Sequence, residues 1–261
     1  MPLPITRRPL ILDLDFTLLH LEYLPGSLEV PGRTRSAWIA PQTVELLAAL
    51  QTHCAIVLAT ARSWDGTHWV ADGLAERGVN VAGVVLEDGA LVGSMDQLSE
   101  FDPSFDVTAL RARVEAEKTD DWPAFDWQFD FKACLVARCE TRDEAAHLSA
   151  IFARRYATKS PCRVYRDGRK TYILPRSADK WSALQQLLGE AASEAAGIGD
   201  GVNDVVWLPL VAHPATFASA EKHLVEAVLN RGGYVSSLDG HDGIADILRV
   251  TGERVAPQNV V

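Results

Sequence analysis

The chain lacks any apolar run near the ~20 residues that a bilayer span requires, so no membrane partner is expected. It also lacks a basic stripe. Asp and Glu number 35 against 25 Lys and Arg, a formal charge of −10 over 261 residues, and a nucleic-acid partner is not expected of such a surface. The four cysteines, Cys54, Cys134, Cys139 and Cys162, include no CxxC pair, and no cleavage-like segment stands at the N-terminus. Small buried thiols in a reducing cytoplasm are the expectation. There is no internal repeat and no low-complexity tract. What remains is an ordinary globular balance, 48% hydrophobic and 23% charged, long enough for a full core. A small anionic ligand would need a local metal or lysine to enter so acidic a protein.

Ile11 to Leu19 is an apolar run carrying Asp13, Asp15 and Thr17. A strand alternates its side chains, so the two acids emerge on one side at the strand's C-terminal end, where open α/β sheets bind ligands. Two carboxylates this close repel, and a metal or separate protonation states relieve the strain. A second apolar run, Ala55 to Ala59, ends in Thr60, followed by Ala61 and Arg62; continuous runs of this kind suit parallel strands covered on both faces. Helices are expected over 41–50 and 66–77, a strand over 81–86, and a turn at Asp88-Gly89. The segment from His20 to Arg35, with Pro25, Gly26, Pro31 and Gly32, reads as a loop.

The rhythm then changes. After a helix near 105–117, residues 127–139 alternate apolar with mostly polar side chains, as a one-faced antiparallel strand does. Leu148, Ile151, Phe152 and Tyr156 form a helical stripe that could cover it, with Trp122, Trp127 and Phe129 packed beneath. Residues 163–166 and 169–174 read as a hairpin with a type I′ turn at Asp167-Gly168. From 178 onward the first rhythm returns, with helices near 181–188, 220–229 and 242–250 and strands near 195–199 and 215–218. The expected fold is α/β, a doubly wound, Rossmann-like and mostly parallel sheet in two parts, residues 1–94 and 173–261, around an inserted α+β cap domain at 95–172.

Gly199-Asp200-Gly201-x-Asn203-Asp204 closes the last acid-bearing strand, and its acids with Asp13 make a plausible Mg²⁺ site. Asp13-x-Asp15-x-Thr17, Thr60, Lys180 and Gly199-Asp200-Gly201-x-Asn203-Asp204 stand in the order of the four motifs of the haloacid dehalogenase (HAD) superfamily, and the chain resembles that superfamily over its core. The insertion between the second and third motifs resembles the type IIB cap group, with its Cof-type, sucrose-phosphate, mannosyl-3-phosphoglycerate and trehalose-phosphate phosphatases and phosphomannomutases.

The resemblance implies that Asp13 is the nucleophile and Asp15 the acid and base, its backbone carbonyl binding the metal. It implies Mg²⁺ held by Asp13, Asp15, Asp200 and Asp204, phosphoryl contacts from Thr60 and Lys180, and Asn203 orienting the polar cluster. The implied activity is a Mg²⁺-dependent phosphohydrolase on a small phosphorylated metabolite, a sugar phosphate being the expected class, through an aspartyl phosphate. Its rivals are a phosphomutase or phosphotransferase and a non-catalytic sugar-phosphate-binding regulator, the assembly a monomer or homodimer. Arg163, Arg166, Arg169, Lys170 and Tyr172 gather around the cap hairpin. Phe16 and Glu87-Asp88-Gly89 depart from common family residues without touching the reacting groups.

Overall fold

The computed structural model describes residues 3, 6–33, 35–158 and 161–256; the outer ends of the first and last expected segments lie outside them. The chain opens with β1 (Arg8–Leu12), a short pair β2 (Leu28–Val30) and β3 (Ala37–Ile39), and α1 (Pro41–Leu50). Next come β4 (Cys54–Ala59), α2 (Trp64–Ala75), β5 (Val81–Leu86), β6 (Leu91–Gly93) and β7 (Leu98–Glu100). The middle of the chain holds α3 (Val107–Glu117), β8 (Asp126–Trp127), β9 (Leu135–Arg138), α4 (Arg142–Phe152), β10 (Cys162–Asp167) and β11 (Lys170–Pro175). The last part is α5 (Lys180–Leu188), β12 (Ala196–Ile198), β13 (His213–Phe217), α6 (Lys222–Asn230), β14 (Tyr234–Ser236) and α7 (Gly240–Val255). None of the described helices is long and apolar enough to cross a membrane.

Eight strands form the main sheet in the order β14-β13-β12-β1-β4-β5-β6-β7. All neighbours from β14 to β5 are parallel, and β6 and β7 add an antiparallel edge. Alternate strand residues enter opposite cores. Leu10, Leu12, Ile56 and Leu58 pack with Leu47 of α1, Leu74 of α2 and Leu248 of α7, while Ile11, Val57 and Ala59 pack with Leu184 of α5 and Leu224 of α6. Burial on both faces is why these strands read as unbroken apolar runs. It also leaves their C-terminal ends as the place where polar side chains can stand.

The second sheet, β10-β11-β9-β8, is antiparallel. One face carries Leu135, Ala137, Cys162 and Ile173 against Leu148, Ile151 and Phe152 of α4 and Leu110 and Val114 of α3. The opposite face carries Val136 and Tyr172, which join the first core of the main sheet.

Four expectations need correction. Residues 127–139 are not one strand: β8 and β9 are separated by a segment that leaves the sheet. There the backbone N–H groups of Lys132 and Ala133 donate to the buried Glu87 carboxylate, each at 2.8 Å, and Asp130 takes hydrogen bonds from Ser63 and Arg33. Phe129 on this excursion is 71% exposed, with the Arg111 guanidinium 4.8 Å from its ring centroid, so it is not core. The 20–35 segment is not simply a loop, because β2 pairs with β3 inside and just beyond it. The tight turn is Gly168-Arg169, since Asp167 pairs with Lys170; only Gly168 has positive φ, at 55°, which fits type II′ with glycine first and not type I′. The strands β7 and β14 were missed, and β7, at the start of the expected insertion, pairs with β6 in the main sheet.

Glu87 ties the two sheets together. Burial pushes its carboxyl up to about 6, against the N–H groups of Lys132 and Ala133, which favour the ionised form. An acid whose folded pKa is raised favours the folded state most below its unfolded value, about 4.5, and loses that advantage as pH rises through about 6. Unfolding titrations of the parent and Glu87→Gln should therefore diverge: from pH 4 to pH 7 the parent should lose about 2 kcal/mol relative to the glutamine variant. A pH-independent difference would contradict the assignment.

Candidate active site

Asp13 follows β1 directly, Thr60 follows β4, Glu87 and Asp88 follow β5, and Asp200 lies just past β12. Because these strands are neighbours and parallel, residues far apart in sequence meet at one edge. Lys180, the first residue of α5, is wholly buried there, its helix capped by the Asp179 carboxylate accepting from Ser182 N. A cation in a first turn opposes the helix macrodipole. Two carboxylates outweigh that: Lys180 Nζ donates to Asp13 Oδ1 and to Asp204 Oδ1, both at 2.7 Å.

Asp204 is held from every side. Its Oδ1 also accepts from Trp207 Nε1 at 2.7 Å, and its Oδ2 accepts from the N–H groups of Asp200 at 3.1 Å and Gly201 at 2.9 Å. Four donors fill the lone-pair sites of one carboxylate. Gly199 is required by this packing, since a Cβ there would lie 2.7 Å from the Asp204 carboxylate. Asp13, by contrast, has only Lys180 as a side-chain hydrogen-bond partner among the described residues, through Oδ1. Asp200 Oδ1 accepts from the Thr17 hydroxyl at 2.8 Å, so Thr17 fixes the second acid-bearing loop.

Asp13, Asp200 and Asp204 each place an oxygen within 4.8 Å of the others. Burial raises the Asp13 carboxyl well above the ordinary range, with Asp204 and Asp200 adding repulsion and Lys180 opposing both. Burial likewise pushes Asp200 up to about 7, opposed by the Thr17 hydroxyl. Desolvation works against the Lys180 ammonium, but Asp13 and Asp204 hold it charged far above the usual lysine range. Three carboxylates and one ammonium leave a deficit of two positive charges. Hard oxygens at this spacing fit a hard divalent cation, Mg²⁺ in particular, with Asp13 and Asp200 having the free acceptor sites.

Asp15 is turned away from this cluster. Its side chain is 51% exposed and lies flat against Arg62, whose Nε and Nη2 donate to the two carboxylate oxygens at 2.8 and 2.6 Å. Desolvation would raise Asp15, but the Arg62 hydrogen bonds and charge bring it below the ordinary range. Its backbone carbonyl accepts no hydrogen bond among the described residues. Thr60 is buried, and its Oγ1 accepts from Arg62 N at 3.2 Å. Asp15 and Arg62 form one wall of a cavity of about 760 Å³ between the two sheets, which Phe16, Trp69 and Phe131 also line.

All seven expected site residues thus gather at one edge, Asn203 at its margin. Asn203 Nδ2 donates to Asp88 Oδ1 at 3.3 Å, and Arg163 donates to Asp88 Oδ2. Asp88 is therefore not remote from the reacting groups, since its charge also supports the Lys180 ammonium. Sequence reasoning noted Arg62 as following Thr60 without assigning it a role, and read Asp88 only as part of a turn apart from the reacting groups. Arg62 stands three residues past the end of β4 and Asp88 two past the end of β5, and that position was the available signal. His20 and His68 do not line the cavity; His20 packs edge-on against His241 and His68 against Trp64 and Trp69.

No protein-family model and no curated protein sequence matches this chain. Solved structures do. A Thermoplasma acidophilum protein superposes with a TM-score of 0.69 at 17% identity, over 95% of this chain and 98% of its own. A haloacid dehalogenase-like hydrolase from Bacteroides thetaiotaomicron gives 0.67 at 17%, over 94% and 100%. The C-terminal domain of trehalose-6-phosphate phosphatase from C. albicans gives 0.65 at 12%, over 95% and 92%. The chain has the fold of the haloacid dehalogenase-like hydrolases, including the mostly parallel sheet expected from its sequence.

Replacing Lys180 leaves Asp13 and Asp204 buried without their cation. Lys180→Met should lose about 3–5 kcal/mol in urea unfolding without added metal; a loss under about 1 kcal/mol would show that the ammonium does not hold the cluster.

Proposed function

We propose that this protein is a Mg²⁺-dependent phosphohydrolase acting on a small phosphomonoester of sugar-phosphate size. The observation that carries the reading is the convergence of Asp13, Lys180, Asp200 and Asp204 beside a cavity walled by Asp15. The likeness to a trehalose-6-phosphate phosphatase domain supports the same class. Asp13 and Asp200, with the Asp15 carbonyl, would hold Mg²⁺, and Asp204 would orient them and Lys180. When bound, the metal supplies positive charge to the phosphoryl oxygens and to the nucleophilic carboxylate.

In the first half-reaction an Asp13 carboxylate oxygen forms a bond to phosphorus while the bond to the leaving oxygen breaks, and Asp15 delivers a proton to that oxygen. In the second, water attacks phosphorus, Asp15 takes its proton, and the Asp13–phosphorus bond breaks to release inorganic phosphate. The pairing with Arg62 describes the ionised form of Asp15, the form the second half-reaction needs. Thr60 donates a hydrogen bond to the transferring group, and Lys180 compensates charge on Asp13 throughout. The cavity lies on the Asp15 side, where a departing alcohol must sit to receive its proton.

Phosphate release from p-nitrophenyl phosphate with Mg²⁺ tests the assignment. Asp13→Asn should remove turnover while the far-ultraviolet circular dichroism stays that of the parent, and Asp15→Asn should lower kcat by about 10²- to 10⁴-fold. Turnover by Asp13→Asn at the parent rate would remove Asp13 as nucleophile. The metal site has a readout independent of activity. At a hundredfold excess over its Kd, Mg²⁺ should stabilise the parent by about 2.7 kcal/mol in thermal unfolding, and Asp200→Asn should lose most of that gain.

A further inference from the structure

Pairing across the second sheet sets Arg138 opposite Lys170, and Lys170 opposite Asp167. Residues directly opposite in an antiparallel pair project from the same face. That face is the one carrying Val136 and Tyr172 toward the main sheet, so two cations stand side by side over the cavity that both of them line. Like charges directly opposite destabilise a sheet; Asp126 stands opposite Arg138 on its other side, as Asp167 does opposite Lys170, but among the described residues neither acid closes an ion pair with its cation. Neither Arg138 nor Lys170 has a hydrogen bond or an ion pair there. Both are only half-exposed, so solvent screens them incompletely.

The surroundings sharpen the point. Six cationic side chains line the cavity, Arg33, Arg35, Arg62, Arg138, Arg169 and Lys170, against four carboxylates. Two of those carboxylates are committed, Asp15 to Arg62 and Asp130 to Arg33. A chain of net charge −10 has thus placed a positive excess in one cleft. Burial and the neighbouring Arg33 make the charged form of Lys170 costly, and Asp15 and Asp167 only partly offset this. Lys170 lines the same cavity as Asp15 while the fully buried Lys180 does not, which places Lys170 on the leaving-group side and not on the phosphoryl side served by Lys180.

We propose that Arg138 and Lys170 form a second anion site, and that the preferred leaving group carries its own carboxylate or phosphate, held by this pair while the scissile phosphate lies at Asp13. The proposal rests on the phosphohydrolase reading and names the substrate class within it: phosphorylated hydroxy-acids or sugar bisphosphates over neutral sugar phosphates. The pair fixes the leaving group's far end, and Asp15 meets its near end.

Two matched pairs of substrates test this with the full chain and Mg²⁺. In one, 3-phosphoglycerate and glycerol 3-phosphate differ by a carboxylate against a hydroxymethyl group. In the other, fructose 1,6-bisphosphate and fructose 6-phosphate differ by a second phosphate. In at least one pair the parent should favour the anionic member by about tenfold or more in kcat/KM, and which pair responds identifies the anion. Arg138→Gln and Lys170→Gln should each bring the ratio toward unity, and Lys170→Arg should restore part of it, which a merely structural role would not do. Equal kcat/KM within both pairs, or a ratio unchanged in both glutamine variants, would overturn the proposal. If the parent releases no phosphate even from p-nitrophenyl phosphate, the catalytic reading fails. The anion site is then decided by calorimetric affinities for the same pairs: tighter binding of an anionic member, lost in Lys170→Gln, supports it, and equal affinities overturn it.

Discussion

The buried ammonium of Lys180 is the constraint on which the site depends. It joins the first residue of α5 to the acid after β1 and the acid after β12, three points separated by up to 191 residues along the chain. A charge at 0% exposure is stable only when paired, so α5 cannot shift without stranding it. Asp204 is fixed in turn by Trp207 and by two backbone N–H groups, and the Gly199 backbone must pass close beside it. Packing and electrostatics here are one requirement. The sheet order that puts β12 beside β1 is what allows a single lysine to reach both acids.

That requirement explains what was legible in the sequence. Asp13, Thr60 and Asp200 were readable because each follows a strand whose apolar pattern is strong, and a doubly wound sheet sends all such ends to one edge; Lys180 was found through the motif order of the family resemblance. Arg62 and Asp88 occupy equivalent positions but make their contacts across space, to Asp15 and to Asn203 and Arg163, and no periodicity carries that information. The 127–139 segment failed for a different reason. Alternation persists there because Phe131 and Ala133 are buried against the main core, so a pattern that normally marks a strand marks instead a stretch drawn out of its sheet by Glu87. The hairpin turn was displaced by one residue because Asp-Gly suggests type I′ while the pairing of Asp167 with Lys170 leaves Gly168 first in the loop.

The distribution of charge separates two tasks. At the edge of the main sheet three carboxylates surround one lysine, a negative site suited to a divalent cation; across the cavity the second sheet presents arginine and lysine. On the proposed reading the first sets the reaction and the second the identity of the leaving group. Their spacing is governed by a single turn. Glu87 accepts from the backbone of Lys132 and Ala133, and the next residue, Asp88, takes Arg163 of β10 on one oxygen and Asn203, from the turn that follows β12, on the other. Glu87 and Asp88 both have positive φ, at 51° and 57°, an uncommon conformation for such side chains. The strain is tolerable because these four polar contacts define the turn from both sides. Adjacent carboxylates that both reach the second sheet's part of the chain, one of them also bonded to Asn203, are therefore the element that holds recognition at a fixed distance from chemistry, and they sit where the sequence showed only three residues after a strand.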